Sequence, residues 1–351
     1  MVSPATSLQL VRTLTEMYSA AERRTLELVA KYVARGLDSP DYLQRRLAEI
    51  HALQVELRQV VAGLNAHGPQ EVAKAVLEAH RLGQADAVRE LTRAGISETL
   101  SSLQTRASID AITALATKTA DKLATTHLRI LRVGEDAYRS IVGQVAGEAM
   151  TGVYTRRTAA QAVLDRFANA GITGFIDEAG RNWNLASYAE MAMRTVTGQS
   201  CVQGAIDGYQ ANGRDLVIVS EVPEDCPMCA EWDGQVLSIS GDDAEHASVQ
   251  EATDAGLFHP GCRHNLGLYV EGLTNPSTYV QDEQGYEDSQ QQRYLERGVR
   301  QWKCREAVAI DDLAAARARA KVREWQGKLR EHVSRTGSRR LYYREQIGKA
   351  I

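Results

Sequence analysis

Cys226-Pro227-Met228-Cys229 sets two thiols two residues apart, and His259-Pro260-Gly261-Cys262-Arg263-His264 follows about thirty residues later. Two cysteines at that spacing can bite one metal ion, and a Cys/His pair on a second loop completes a tetrahedron. Mixed thiolate and imidazole donors in a closed site suit structural Zn2+, so the candidate ligands are Cys226, Cys229, His259, Cys262 and His264. The fourth position stays open. His259 with Cys262 gives an H-x2-C bite that matches the first knuckle and is slightly preferred, while Cys262 with His264 needs a tighter C-x-H loop. The spare histidine would then hydrogen-bond a ligand sulfur or a carbonyl. C-P-x-C after a strand also imitates a thiol–disulfide motif. Against that, Glu224, Asp225, Glu231 and Asp233 crowd the thiols with negative charge unless a cation sits among them. The blander alternative is a metal-free loop with buried cysteines. Cys201 and Cys304 have no partner at ligand spacing and read as ordinary buried residues.

The elements that must carry these loops follow from periodicity. Asp215-Leu216-Val217-Ile218-Val219-Ser220 is the strongest strand signal, and Gln235–Ile239 follows the Asp233-Gly234 turn. Before them come a helix over about 155–169, a β-favouring run at 171–177, a turn at 180–183 and a helix over about 185–211. The N-terminal part is helical. Leu8, Val11, Leu14, Tyr18, Ala21, Thr25, Leu28 and Tyr32 step by three and four over about 7–35. Ser39 and Pro40 then read as the start of a second helix, which Gly63 and Gly68-Pro69 should break, giving an antiparallel hairpin. Further helical periods run over about 70–93, 97–118 and 120–150, and the last is weakened by Gly134, Gly143 and Gly147. The chain ends in helices over 284–303 and 305–335. The expected fold is mainly α: long N-terminal helical hairpins, a small α+β zinc-knuckle domain in the middle, and C-terminal helices. The corresponding segments are 1–150, an elongated helical assembly region; 151–283, the small α+β domain; and 284–351, the basic C-terminal helices.

Composition narrows the classes of function. The chain has 351 residues, enough for about two domains. Five cysteines, an odd and small number, argue against a disulfide framework and for a reducing compartment. MVSPATSLQL lacks the basic and apolar regions of a signal peptide, and no run approaches the ~18 apolar residues of a membrane span. The net charge of −4 conceals segregation. Residues 215–290 carry sixteen Asp and Glu against Arg263 alone, a net of −15, and residues 293–351 carry sixteen Lys and Arg against seven acids, a net of +9. Segregation of this kind often marks contact surfaces, and a solvated helix face is the blander alternative.

Beyond the knuckles, a set of ordered motifs is similar to a known family. They are Gly174-Phe175-Ile176-Asp177, Gly180-Arg181-Asn182-Trp183, Tyr188-Ala189-Glu190-Met191, Arg194-Thr195, the two Cys/His motifs, Tyr294-Leu295-Glu296-Arg297 and Arg300-Gln301-Trp302-Lys303. Over about residues 150–345 the chain resembles the phage minor capsid protein 2 family, akin to the Mu-F-like head morphogenesis proteins, and much more weakly over the N-terminal helices. The resemblance implies a structural virion protein, made in the host cytoplasm and present in few copies. Its implied partners are the phage portal protein and other head-interior proteins, with packaged DNA as a further candidate and no membrane. It does not imply an enzyme. Arg181, Trp183, Tyr188, Glu190 and Arg194 read as a buried polar network with aromatic lids rather than a catalytic set. One enzymatic alternative is a metal-dependent nuclease of the His-Asn-His type, suggested by His264-Asn265, yet between Cys229 and His259 only His246 occurs and no Asp-His or His-His dyad does. The other alternative is a nucleic-acid-binding zinc module, favoured by the basic C-terminal helices and opposed by the lack of an aromatic stacking set.

Overall fold

The computed structural model describes residues 4–42, 44–96, 106–150, 155–171, 175–176, 182–222, 228–274 and 282–348. Among these the chain is mainly helical, with eight helices and a small three-stranded sheet. The three-and-four stripe forms α1 (Pro4–Ala34), and Val11, Leu14, Tyr18, Ala21, Thr25, Leu28 and Tyr32 are all buried.

The second helix departs from expectation at both ends. Ser39 and Pro40 lie in a run of turns, with Tyr42 N–H bonded to the Ser39 carbonyl at 3.2 Å, and α2 (Arg46–Arg93) begins only at Arg46. It then passes through Gly63 and Gly68-Pro69 without a break. Proline costs a helix interior about 3 kcal/mol, but here the buried positions stay in phase across it. Leu53, Leu57, Val61 and Leu64 precede Pro69, and Val72, Val76 and Ala79 follow. Burying each such aliphatic side chain contributes about 1.5–3 kcal/mol, which offsets the local penalty. The same reasoning accounts for α3 (Arg106–Met150), which runs without a break from the described part of the 97–118 period through 120–150 and all three glycines, while residues 97–105 lie outside the described residues. Gly134 has a positive use, because a Cβ there would meet Leu57 Cδ1 at 2.7 Å.

The remaining helices and strands follow the sequence more closely. α4 (Arg156–Ala170) is capped by Thr155, whose hydroxyl accepts from Thr158 N–H. β1 (Phe175–Ile176) and β2 (Asn182–Trp183) pair antiparallel, Phe175 opposite Trp183. After α5 (Leu185–Ala211) comes β3 (Leu216–Val219), the centre of a sheet ordered β4-β3-β5, with β4 at Val236–Ser238 and β5 at Leu266–Leu268. Both pairings are antiparallel. α6 (Val249–Asp254), between β4 and β5, starts with a capping box from Ser248 and Glu251. β5 and α6 are additions to the sequence-based picture. α7 (Glu283–Ala307) and α8 (Asp312–Thr336) divide at 308–311, where Asp311 caps α8. α8 packs through few apolar residues, Ala318 and Leu329 among them, and Trp325 meets Tyr294 of α7 edge-on at 5.5 Å.

The chain packs into two compact units, each assembled from several stretches of sequence. One draws on Met1–Leu14, Pro69–Asp121 and Glu190–Glu287, the other on Thr15–Gly68, Lys122–Ala189 and Asp288–Ile351. In the second unit Leu26, Val29 and Val33 of α1 share a core with Leu53 and Leu57 of α2, Tyr138 and Ile141 of α3, and Val163 and Leu164 of α4. Arg46 ties its parts together. The guanidinium donates to the Tyr32 carbonyl at 3.2 Å and the Arg35 carbonyl at 2.8 Å, which have lost their helical partners at the end of α1, to Tyr42 O at 2.6 Å, and to Tyr138 Oη at 3.2 Å.

In the first unit Ala87 and Leu91 of α2, Val202, Ala205 and Tyr209 of α5, and Val217, Val219, Leu237, Leu266 and Leu268 of the sheet form the core. α2 and α5 approach so closely that a Cβ on Gly83 would lie 2.0 Å from the Cys201 carbonyl oxygen, and one on Gly204 2.1 Å from that of His80. Glu90 locks this crossing to the sheet, because one carboxylate oxygen accepts from Tyr209 Oη and from Leu268 N–H, each at 2.7 Å.

Candidate metal centre

Two loops at the edge of the first unit's core carry the Cys/His motifs. Cys229 is buried and opens a single 3-10 turn, Ala230–Trp232, which leads through Asp233 and Gly234 (φ +69°) into β4. The second loop leaves α6 through buried Leu257. Phe258 then takes φ +59°, a left-handed backbone that costs a non-glycine residue roughly 1–2 kcal/mol, and its side chain packs on the core. A tight turn follows, with Cys262 N–H bonded to the His259 carbonyl at 2.9 Å and Gly261 at φ +88°. The loop is fastened to the sheet where Asn265 N–H donates to Ser220 Oγ at 2.9 Å and Ser220 N–H to Asn265 O at 2.8 Å.

This arrangement brings together Cys229 Sγ, Cys262 Sγ and a ring nitrogen of His264, all within 4.8 Å of one another. His264 Nδ1 lies 3.3 Å from Cys262 Sγ. Bond lengths of about 2.3 Å for Zn–S and 2.0–2.1 Å for Zn–N place tetrahedral sulfur and nitrogen neighbours about 3.6 Å apart, so the donors suit such an ion in both type and spacing. His259 Nε2 lies 3.2 Å from Cys229 Sγ, and its Nδ1 3.0 Å from the Pro260 carbonyl, but His259 does not join the set of mutually close donors. Cys226, the first residue of the C-x2-C motif, lies outside the described residues.

Behind the donors sits a residue that sequence reasoning treated only as a turn former and a negative charge. Asp233 Oδ1 lies 2.9 Å from His264 Nε2, and both side chains are about 1% exposed. The signal available in the sequence is its place four residues after Cys229, the second cysteine of the knuckle. A hydrogen bond with Cys229 pulls the Cys262 thiol down to about 4, burial opposes this, and the His264 imidazole reinforces it. For His264 burial favours the neutral ring but is outweighed by Cys262 and Asp233, which raise its pKa.

The other candidates are ordinary by comparison. The Cys201 and Cys304 thiols are pushed up to about 12 by burial. His246 Nδ1 bonds Asp243 at 2.9 Å. Arg181 lies outside the described residues, and Trp183, Tyr188, Glu190 and Arg194 are each half-buried rather than fully enclosed. No described helix is long and apolar enough to cross a membrane.

Comparison with known proteins gives a consistent set of matches. A family profile described as phage minor capsid protein 2 matches residues 2–334, so the likeness extends over the N-terminal helices where the motifs alone suggested little. A protein named structural protein from Lactococcus phage LL-H is 26% identical over 253 residues, which cover 66% of this chain and 68% of that protein. A second structural protein, from Lactococcus phage mv4, is 38% identical over 103 residues, 27% of this chain and 84% of its own length. No solved structure matches.

Proposed function

This chain belongs to the phage minor capsid protein 2 family, and from that membership we propose that it is a structural component of a tailed-phage virion, held in few copies at the portal and head interior. It acts in head morphogenesis or in packaging and delivery of the genome, after synthesis in the host cytoplasm. The observation that carries the reading is the family match from residue 2 to residue 334, which takes in the long helices and the Cys/His loops together. The N-terminal segment 1–150 serves as an assembly surface, 151–283 as the metal-stabilised part, and 284–351 as a basic contact.

The cofactor is read as structural Zn2+ held between the two loops, with Cys226 a further donor by its C-x2-C spacing. A role in His-Asn-His catalysis is disfavoured because both ring nitrogens of His264 are engaged, Nδ1 with Cys262 and Nε2 with Asp233. The partners are the portal protein and other head-interior proteins. The solvent face of α8, where Arg317, Arg323 and Arg330 stand exposed, fits packaged DNA as well. Duplex binding that weakens steeply with salt is the signature of that contact. The deciding experiment for the function is reconstruction of intact particles without imposed icosahedral symmetry, combined with mass spectrometry of purified heads. Density for the chain at the portal vertex supports the proposal, and purified heads that lack the chain refute it.

A further inference from the structure

Resting on the zinc reading above, we propose that His264, through Nδ1, is the histidine ligand of this centre and that Asp233 is the residue that positions it, while His259 stands outside the donor set. The first support is enclosure. His264 is 4% exposed and its Nδ1 is 3.3 Å from Cys262 Sγ, within a donor triangle that also contains Cys229 Sγ. The second is the tautomer. A histidine that binds a metal through one nitrogen needs the other as an N–H donor, and a buried carboxylate is the strongest partner for that proton. Asp233 Oδ1, 2.9 Å from Nε2, supplies it and leaves the Nδ1 lone pair facing the sulfurs.

Asp233 is itself held in place. Its carboxylate accepts from Val222 N–H at 3.3 Å, just beyond the end of β3, so the ring orientation of His264 is referred to the sheet rather than to a free loop. His259 has the opposite character. It is half-exposed on the loop, its Nδ1 contacts the adjacent Pro260 carbonyl, and its Nε2 lies against Cys229 Sγ. A hydrogen bond to the sulfur of a ligand accounts for that contact. The H-x2-C spacing, which makes His259 attractive in the sequence, therefore yields to the tighter C-x-H bite, made possible by the turn at Gly261.

Full-length protein is loaded with zinc, and affinity is measured by competition with a chromophoric chelator under reducing conditions. Co2+ substitution reports the ligand field, and 15N chemical shifts report the His264 tautomer. The wild-type chain should bind about one ion. His264→Ala should weaken binding at least about 100-fold and His259→Ala less than about tenfold, while Asp233→Asn should weaken it by about 10–100-fold. Asp233→Asn should also move the Co2+ bands and the His264 nitrogen shifts while far-ultraviolet circular dichroism stays unchanged. Retention of tight binding in His264→Ala together with its loss in His259→Ala overturns the ligand assignment and leaves the zinc reading intact. An Asp233→Asn protein with unaltered affinity and spectra overturns the positioning role. A folded wild-type chain that binds no zinc, or that carries a Cys229–Cys262 disulfide instead under the same conditions, overturns the zinc reading and this inference with it.

Discussion

Gly204→Ala and Gly198→Ala make the same chemical change six residues apart on α5, and the structure gives them opposite signs. At Gly204 the added Cβ would lie 2.1 Å from the His80 carbonyl oxygen, 2.9 Å from its carbon and 3.1 Å from Gln84 N. Non-bonded carbon contacts settle at about 3.5 Å, so α2 and α5 would have to part locally by roughly 1 Å. The obstruction is backbone, which no rotamer change relieves, and overpacking of this sort costs about 1–3 kcal/mol or more. Parting the helices also stretches the His80 Nε2–Asp207 Oδ2 hydrogen bond, now 2.9 Å, which is worth about 1.5–3 kcal/mol if charged. The gain in helix propensity from glycine to alanine returns about 1 kcal/mol. The net expectation is a loss of about 2–4 kcal/mol. At Gly198 a Cβ meets no atom within 4 Å, so only the propensity gain of about 0.5–1 kcal/mol remains. Hydrogen exchange of α5 amides reads both changes: about 30- to 1,000-fold faster opening in Gly204→Ala and a few-fold slower opening in Gly198→Ala, since each 1.4 kcal/mol is about tenfold. Gly83→Ala, on the opposite side of the crossing, should resemble Gly204→Ala, and the pair should fall short of additivity because one separation relieves both clashes. A Gly204→Ala protein as protected as the wild type would falsify the close crossing.

Arg46→Lys keeps the charge but can satisfy only part of what the guanidinium reaches, so two or more buried acceptors lose their partner; urea denaturation should show a loss of about 2–4 kcal/mol, and an unchanged midpoint would argue against the clasp. His127 is buried with Nε2 2.7 Å from Tyr18 Oη and Nδ1 2.6 Å from Asn65 Oδ1, and desolvation pulls its pKa down to about 4. The unfolded chain, at about 6.5, therefore takes up this proton first, so stability is full above about pH 6.5 and falls by up to about 3 kcal/mol as pH drops toward 4. His127→Gln should flatten the Tm-versus-pH curve in that window relative to wild type, and parallel curves would contradict the buried neutral ring.

The sequence makes the helices legible because their stripes are local. Tyr18, Ala21, Thr25 and Leu28 identify α1 from spacing alone, and burial of the same residues follows. The breaks are not legible where a local penalty meets a non-local reward. Pro69 ought to end a helix by its own chemistry, yet Leu64 and Val72 lie in phase on either side of it and both are buried. β5 escaped notice because Leu266-Gly267-Leu268 is three residues long with a glycine at its centre, and only its pairing with β3 makes it a strand. The candidate site divides in the same way. The C-x2-C and H-P-G-C-R-H motifs announce a soft-metal chemistry by composition, whereas the choice between His259 and His264 depends on Asp233, a contact between residues 31 apart in sequence.

These relations bear on why a metal would be useful in the first unit. Its sheet has strands of only four, three and three residues, and so few ladder hydrogen bonds give little independent stability. On one side the sheet is secured to helices through Glu90, whose carboxylate serves both Tyr209 and Leu268. The strands are connected by the loops that carry Cys229 and Cys262, and these are longer than the strands themselves and strained at Phe258. Closing such loops costs entropy that short strands cannot recover. With an ion bound as proposed, thiolates from both loops would supply that closure without any oxidation. The Gly83–Gly204 crossing fixes helix to helix, and the Cys/His cluster, loaded as proposed, would fix loop to loop in the same unit.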